Sequence, residues 1–141
     1  MKKAVIHLDS DIKNASLAGE AIRGICYYTP LSLFDQSNVE LAVIEAVTNI
    51  IKHSYNNEPG HQIQVAVEVD DDHIRIEITD RGKSLRKEMQ RKLDFDPCKV
   101  ESLPERGMGQ FLICKAMDCV SFERSKKKNR LVMKKYFPVS A

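Results

Sequence analysis

Apolar residues alternate with polar ones twice in succession near the middle of the chain, at Ile63, Val65, Val67 and Val69 and again at Ile74, Ile76 and Ile78. A period of two gives each segment one buried face, and the Asp70-Asp71-Asp72 run between them predicts an antiparallel hairpin. Lys3–Leu8 reads as a short strand. Val120–Arg124 and Leu131–Phe137 read as a closing hairpin around Lys126-Lys127-Lys128-Asn129. A period near 3.6 marks the helices. Ile12, Ala15, Ala18, Ile22 and Ile25 form one apolar stripe, with Asp9 and Ser10 as candidate caps and Tyr27-Tyr28-Thr29-Pro30 as its end. A second helix opens on Ser37-x-x-Glu40, a capping-box pattern, and runs to about Ser54, ahead of the turn Asn56-Asn57-Glu58-Pro59-Gly60. A third runs from Gly107-Met108-Gly109 to about Asp118.

From Arg81 to Arg106 neither period holds, although Leu85, Met89 and Leu93 fall on one side of a short basic helix before Pro97 and Pro104. A connection of that length is expected to be functional or partly disordered. The order β-α-α-β-β-lid-α-β-β predicts an α/β (α+β) two-layer sandwich, a mixed, mainly antiparallel sheet covered on one face by helices. The 141 residues suit a single domain, residues 1–141, with a lid over about 81–106.

Charge and composition narrow the partners only a little. A formal net charge of +2 demands no polyanion, and the lysines at 126–128 and 134–135 read as a charged hairpin without interleaved aromatics, so direct nucleic-acid binding is not expected. The short apolar run after Met1 is too brief for a signal peptide or membrane span, which gives a cytoplasmic expectation. The four cysteines have no C-x-x-C spacing, so zinc is not expected, and Cys114 and Cys119 are assigned to the core.

Three groups of polar residues carry candidate chemistry. On a helical wheel of about 100° per residue, Glu45, Asn49, Lys52 and His53 share one quadrant opposite Val39, Val43, Val47 and Ile50. A solvated face and a functional wall both fit that pattern. In Asp80-Arg81-Gly82 the strand parity points Asp80 to the buried side, where an ionised carboxylate needs hydrogen-bond donors. A nucleobase amino group would supply one, and Gly82 would let the backbone pass close to the ring; a plain strand-ending turn fits as well. In Glu105-Arg106-Gly107-Met108-Gly109-Gln110 two glycines precede an apolar helix, where backbone N–H groups and the helix dipole favour phosphate. A hinge between loop and helix would look the same.

Taken in order, Glu45-x-x-x-Asn49, Asp80-x-Gly82 and Gly107-x-Gly109 resemble the N, G1 and G2 boxes of the GHKL (Bergerat-fold) ATP-binding superfamily. The wording E-A-V-T-N-I-I-K-H resembles the anti-sigma factor serine kinases of the RsbW and SpoIIAB type. This resemblance implies ATP and Mg2+ as cofactors, Asn49 as the magnesium ligand, Asp80 with Gly82 at the adenine, Gly107, Met108 and Gly109 at the phosphates, and Glu45 as the base. Lys52, His53 and Arg106 are further candidates for phosphate contact. It also implies a serine/threonine-protein kinase that phosphorylates a STAS-type anti-anti-sigma protein and sequesters a sigma factor or analogous target. The alternative is a nucleotide-binding module that sequesters a partner without phosphoryl transfer. Family members often form homodimers, for which the first helix with Gly19 and Gly24 is one candidate surface; that stripe could equally pack on the sheet. Two departures stand out: Ser84 replaces a second glycine after Gly82, and Asn129-Arg130-Leu131 occupies the region of the usual Gly-Thr pair.

Overall fold

The computed structural model describes residues 1–82 and 108–139, and of residues 108–111 the backbone only. The lid beyond Gly82, with its expected basic helix and with Ser84, Arg106 and Gly107, lies outside the described residues. Five strands, β1 (Lys2–Asp9), β2 (Gln62–Val69), β3 (His73–Asp80), β4 (Cys119–Ser125) and β5 (Lys128–Tyr136), form one sheet in the order β1-β2-β3-β5-β4. All four pairings are antiparallel. Helices α1 (Lys13–Cys26), α2 (Leu33–Asn49) and α3 (Met108–Ala116) accompany it, α1 and α3 both packing against α2. The two-layer sandwich foreseen from the alternating and helical periods is the observed architecture.

The core follows from those periods. Ile63, Val65 and Val67 of β2, Ile74, Ile76 and Ile78 of β3 and Met133 of β5 are at most 1% exposed, and with Val39, Val43 and Val47 of α2 they form one apolar cluster. Each such side chain contributes roughly 1.5–3 kcal/mol through its removal from water. The opposite face of the sheet carries charge instead. Arg75 and Arg130 both pair with Glu77, at 3.0 and 3.5 Å, while Arg130 also reaches Glu123 and Lys3 reaches Glu68.

Several local expectations need correction. Helix α2 begins four residues before Ser37, because Ser32 in an extended conformation accepts a hydrogen bond from the Asp35 N–H at 3.1 Å and caps it there. Ser37 lies inside the helix and donates to the Leu33 carbonyl. Neither Asp9 nor Ser10 caps α1; Ser10 donates to the Glu58 carbonyl and accepts from the His61 N–H, tying β1 to the turn before β2. Ile12, assigned to the α1 stripe, is half exposed, whereas Ala15, Ala18 and Ile22 are buried.

The turn between β4 and β5 is also shorter than expected. Ser125 pairs with Lys128, leaving Lys126 and Lys127 as a two-residue loop in which Lys126 takes φ 53°, and Asn129 belongs to β5 rather than to the turn. Against their assignment to the core, Cys114 on α3 is half-buried and Cys119 is exposed, the latter because the β4 alternation turns Val120 and Phe122 inward. Among the described residues the buried thiol is Cys26, whose pKa burial pushes up to about 12. Gly19 serves the α1–α2 contact, since a Cβ there would lie 2.5 Å from Ile44 Cγ1, while Gly24 faces open space. No described helix is long and apolar enough to cross a membrane.

Candidate functional site

Glu45 and Asn49 stand one turn apart on the last stretch of α2, both half-buried. Beyond Asn49 the backbone widens into a π-turn over Ile50–Ser54, in which the Tyr55 N–H donates to the Ile50 carbonyl at 3.0 Å. A π-turn advances the side chains less per residue than an α-helix, so the α-helical wheel holds only as far as Asn49. Lys52 and His53 are exposed on this turn, while Ser54 and Tyr55 are buried. Turns of this kind recur at functional sites.

The π-turn brings the first group of residues to the second. The Tyr55 hydroxyl donates to the Gln62 carbonyl and accepts from the Arg81 N–H, both at 2.9 Å, pinning the turn to the start of β2 and the end of β3. Gly82 sits directly on Ser54. A Cβ at Gly82 would lie 2.6 Å from the Ser54 carbonyl oxygen and 2.8 Å from its Cβ, so the missing side chain is what permits this contact. In the described structure the close approach that Gly82 allows is therefore to Ser54.

Asp80 ends β3 on the helix side of the sheet, as its parity requires, and is only 4% exposed. Its Oδ1 accepts from the Gly82 N–H and from Asn129 Nδ2, each at 2.9 Å. Burial pushes the Asp80 carboxyl above the ordinary carboxylate range; the Asn129 amide, the Gly82 N–H, the nearby Ser54 hydroxyl and the Arg124 charge oppose that shift. The Ser54 hydroxyl affects the carboxylate without reaching hydrogen-bond geometry. Ser54 is 3% exposed, and its Oγ has no hydrogen-bond partner among the described residues.

Asn129 was expected in the hairpin turn, within the Asn129-Arg130-Leu131 run in the region of the usual Gly-Thr pair, with no role for its side chain. It is 2% exposed and opposes Asp80 directly across β3 and β5, because the two-residue turn sets a register that puts Asn129 inward and Arg130 outward. Arg124 on β4 opposes Asn129 in turn and donates from Nη1 to its Oδ1 at 2.8 Å. Ser54, Arg124 and the π-turn left no signal in the apolar period, since a polar residue facing inward at a sheet end looks like one in a loop. An open cavity of about 330 Å³ also borders Asp80, but Gln64 and Thr79 in its lining are outward positions of β2 and β3, so it opens away from the helix layer.

The third group is seen in part. Helix α3 begins at Met108, with Gly109 in its first turn, and the helix packs against α2, the element that carries Glu45 and Asn49. Together the described residues offer an acidic and an amide oxygen side by side, a buried carboxylate with one oxygen unused, and an unpartnered hydroxyl beside it. These donors suit a purine nucleotide with a hard cation: an amide oxygen for Mg2+, and an acceptor and a donor for a base edge.

Comparison with known proteins identifies the family of the chain. A family model described as a histidine kinase-like ATPase domain matches residues 9–135. A serine-protein kinase RsbW from Oceanobacillus iheyensis is 41% identical over 86 residues, which is 59% of this chain and 54% of that protein's length. An anti-sigma F factor from Clostridium botulinum (strain Eklund 17B / Type B) is 32% identical over 131 residues, 92% of this chain and 91% of that protein. In fold, the chain superposes on part of a structure of the RsbU and RsbW domains of a Mycobacterium tuberculosis protein, with TM-score 0.68 and 16% identity, covering 96% of this chain and 32% of that one. It also matches a chain of the SiaB–SiaC complex from Pseudomonas aeruginosa, with TM-score 0.60 and 16% identity over 93% of this chain and 89% of that one. The chain belongs to the histidine kinase-like ATPase domain family, among the relatives of RsbW-type serine-protein kinases and anti-sigma F factors.

Proposed function

We propose that this protein is an ATP-dependent serine/threonine-protein kinase and anti-sigma factor, which phosphorylates a STAS-type anti-anti-sigma antagonist and sequesters a sigma factor or analogous target. The observation that carries the reading is the buried Asp80, which leaves Oδ2 without a hydrogen bond among the described residues and lies next to the unpartnered Ser54 hydroxyl. The names of the relatives, serine-protein kinase and anti-sigma F factor, support the same activity and partners.

In this reading Asp80 Oδ2 accepts from the adenine amino group, and the Ser54 hydroxyl serves a ring nitrogen directly or through water. Asn49 holds Mg2+ through its side-chain oxygen; when bound, the ion neutralises phosphate charge. Gly107, Met108 and Gly109 receive the phosphates with their backbone N–H groups, and Lys52, His53 and Arg106 are the candidates for further phosphate contact. Glu45 takes the proton from a serine or threonine hydroxyl of the protein substrate. That oxygen then bonds to the γ-phosphorus as the bond to the ADP oxygen breaks.

Replacing Glu45 by Gln should lower phosphoryl transfer about 10²- to 10⁴-fold while leaving ATP affinity nearly unchanged. Transfer would be followed with radiolabelled ATP and a STAS-domain substrate, and affinity with a fluorescent ATP analogue. Undiminished transfer in the variant would remove Glu45 from the role of base. ATP binding by the wild type without transfer to any captured partner would favour the nucleotide-binding module instead.

A further inference from the structure

Three adjacent strands end in one row of polar side chains on the helix side of the sheet. Asp80 on β3 faces Asn129 on β5, which faces Arg124 on β4. The Asn129 amide is fully engaged. Its Nδ2 donates to Asp80 Oδ1 at 2.9 Å and to the Gly82 carbonyl at 3.3 Å, and its Oδ1 accepts from Arg124 at 2.8 Å. These bonds fix the amide's orientation, because flipping it would set its oxygen against the Asp80 carboxylate and its NH2 against the guanidinium.

We propose that Asn129, braced by Arg124, is a positioning residue for nucleotide recognition: it saturates Asp80 Oδ1 together with the Gly82 N–H, so that Oδ2 alone is presented to the base. The proposal rests on the assignment of Asp80 to the purine. A carboxylate free to rotate would present either oxygen and would be satisfied by passing waters; one held at Oδ1 by two donors has a single direction left for acceptance. Arg124 adds a positive charge behind the amide, with its Nε buried and unpartnered among the described residues. Asn129 is thus the polar link between that charge and the carboxylate, a role for which neither glycine nor an aliphatic residue at position 129 has the atoms.

The same link opposes the effect of burial on Asp80. Among the described residues, the other charged or titratable groups about this carboxylate are Tyr55 from the π-turn end, Arg81 next along the chain and Arg124 from β4. Tyr55 has its own ionisation pushed upward by burial and stays neutral through the working range. A change in the pH profile on altering Asn129 is therefore read at Asp80.

The test measures binding of a fluorescent ATP analogue with magnesium to the full chain across pH. For Asn129→Ala the affinity at neutral pH should fall on the order of 10-fold, and the midpoint of acid-induced loss of binding should move to higher pH than in the wild type, with affinity recovering toward alkaline pH. Arg124→Met, which leaves the amide in place, should move the midpoint the same way by less, and it decides the matter if Asn129→Ala fails to fold. Superposable pH profiles in wild type and folded variant would overturn the positioning role while leaving the nucleotide assignment intact. Absence of binding by the wild type itself would overturn the nucleotide assignment and this inference with it.

Discussion

At Asp80 the fold and the site want different things. Burial favours the neutral carboxyl, so the folded form holds its proton to higher pH than an unfolded chain does. The resulting stability is present at low pH and is lost as pH rises through the folded-state value; at neutral pH the ionised carboxylate is a cost to the ligand-free protein. Asp80→Asn should therefore raise the Tm of the nucleotide-free protein at pH 7 by on the order of 3 °C and abolish ATP binding. In acid, where the wild type is already protonated, the two should melt together; thermal melts at several pH values check both. Gly82 makes a different demand. Gly82→Ala should destabilise by about 1–3 kcal/mol in chemical denaturation, because a Cβ 2.6 Å from the Ser54 carbonyl meets backbone and cannot be accommodated by a side-chain rotation. Asp80 was legible as a buried carboxylate from the parity of Ile74, Ile76 and Ile78. Its partner Asn129 was not, since its inward direction depends on a hairpin register fixed by a two-residue turn of lysines, residues that carry little turn signal of their own.

At the scale of elements, α2 shows what periodicity reads well and what it misses. Its apolar face was legible residue by residue, and Val39, Val43 and Val47 are all buried. Its start was misplaced because Ser37-x-x-Glu40 has the letters of a capping box, while the hydrogen bond that caps the helix is made by Ser32 to the Asp35 N–H. A single capping bond outweighs the pattern, and Ser32→Ala should cost about 1 kcal/mol, read from the denaturation midpoint at constant slope; an unchanged midpoint would show that the cap contributes nothing. The helical run ends at Ser54 as expected, but its change to a π-turn after Asn49 escaped sequence reading for a separate reason. A π-turn changes the hydrogen-bond partner from i−4 to i−5 without altering composition, and only its consequences betray it: Lys52 and His53 face solvent while Ser54 turns under Gly82.

The whole molecule is a sheet with two unlike faces, and the residues on either side of one peptide bond in β5 belong to different faces. Asn129 looks into the helix layer toward Asp80; Arg130 looks out, bridging Glu77 and Glu123 among exposed charges. Ion pairs that reach solvent, as half-buried Arg130 does with Glu77 and with exposed Glu123, are screened by salt and contribute little, so Arg130→Ala should leave Tm nearly unchanged and approach wild type at high ionic strength. Ligand linkage separates the faces more sharply. At a hundred times its dissociation constant, MgATP should stabilise the wild type by about 2.7 kcal/mol, on the order of 8 °C in Tm. Arg130→Ala should keep that full shift, Glu45→Gln should keep it while losing phosphoryl transfer, and Asn129→Ala should show a smaller one at the same nucleotide concentration. Asp80→Asn should show none despite its higher starting Tm. Melting curves with and without MgATP on these four variants test the division directly: a lost shift in Arg130→Ala would place the nucleotide on the charged face of the sheet, and a full shift in Asp80→Asn would remove the purine from the end of β3.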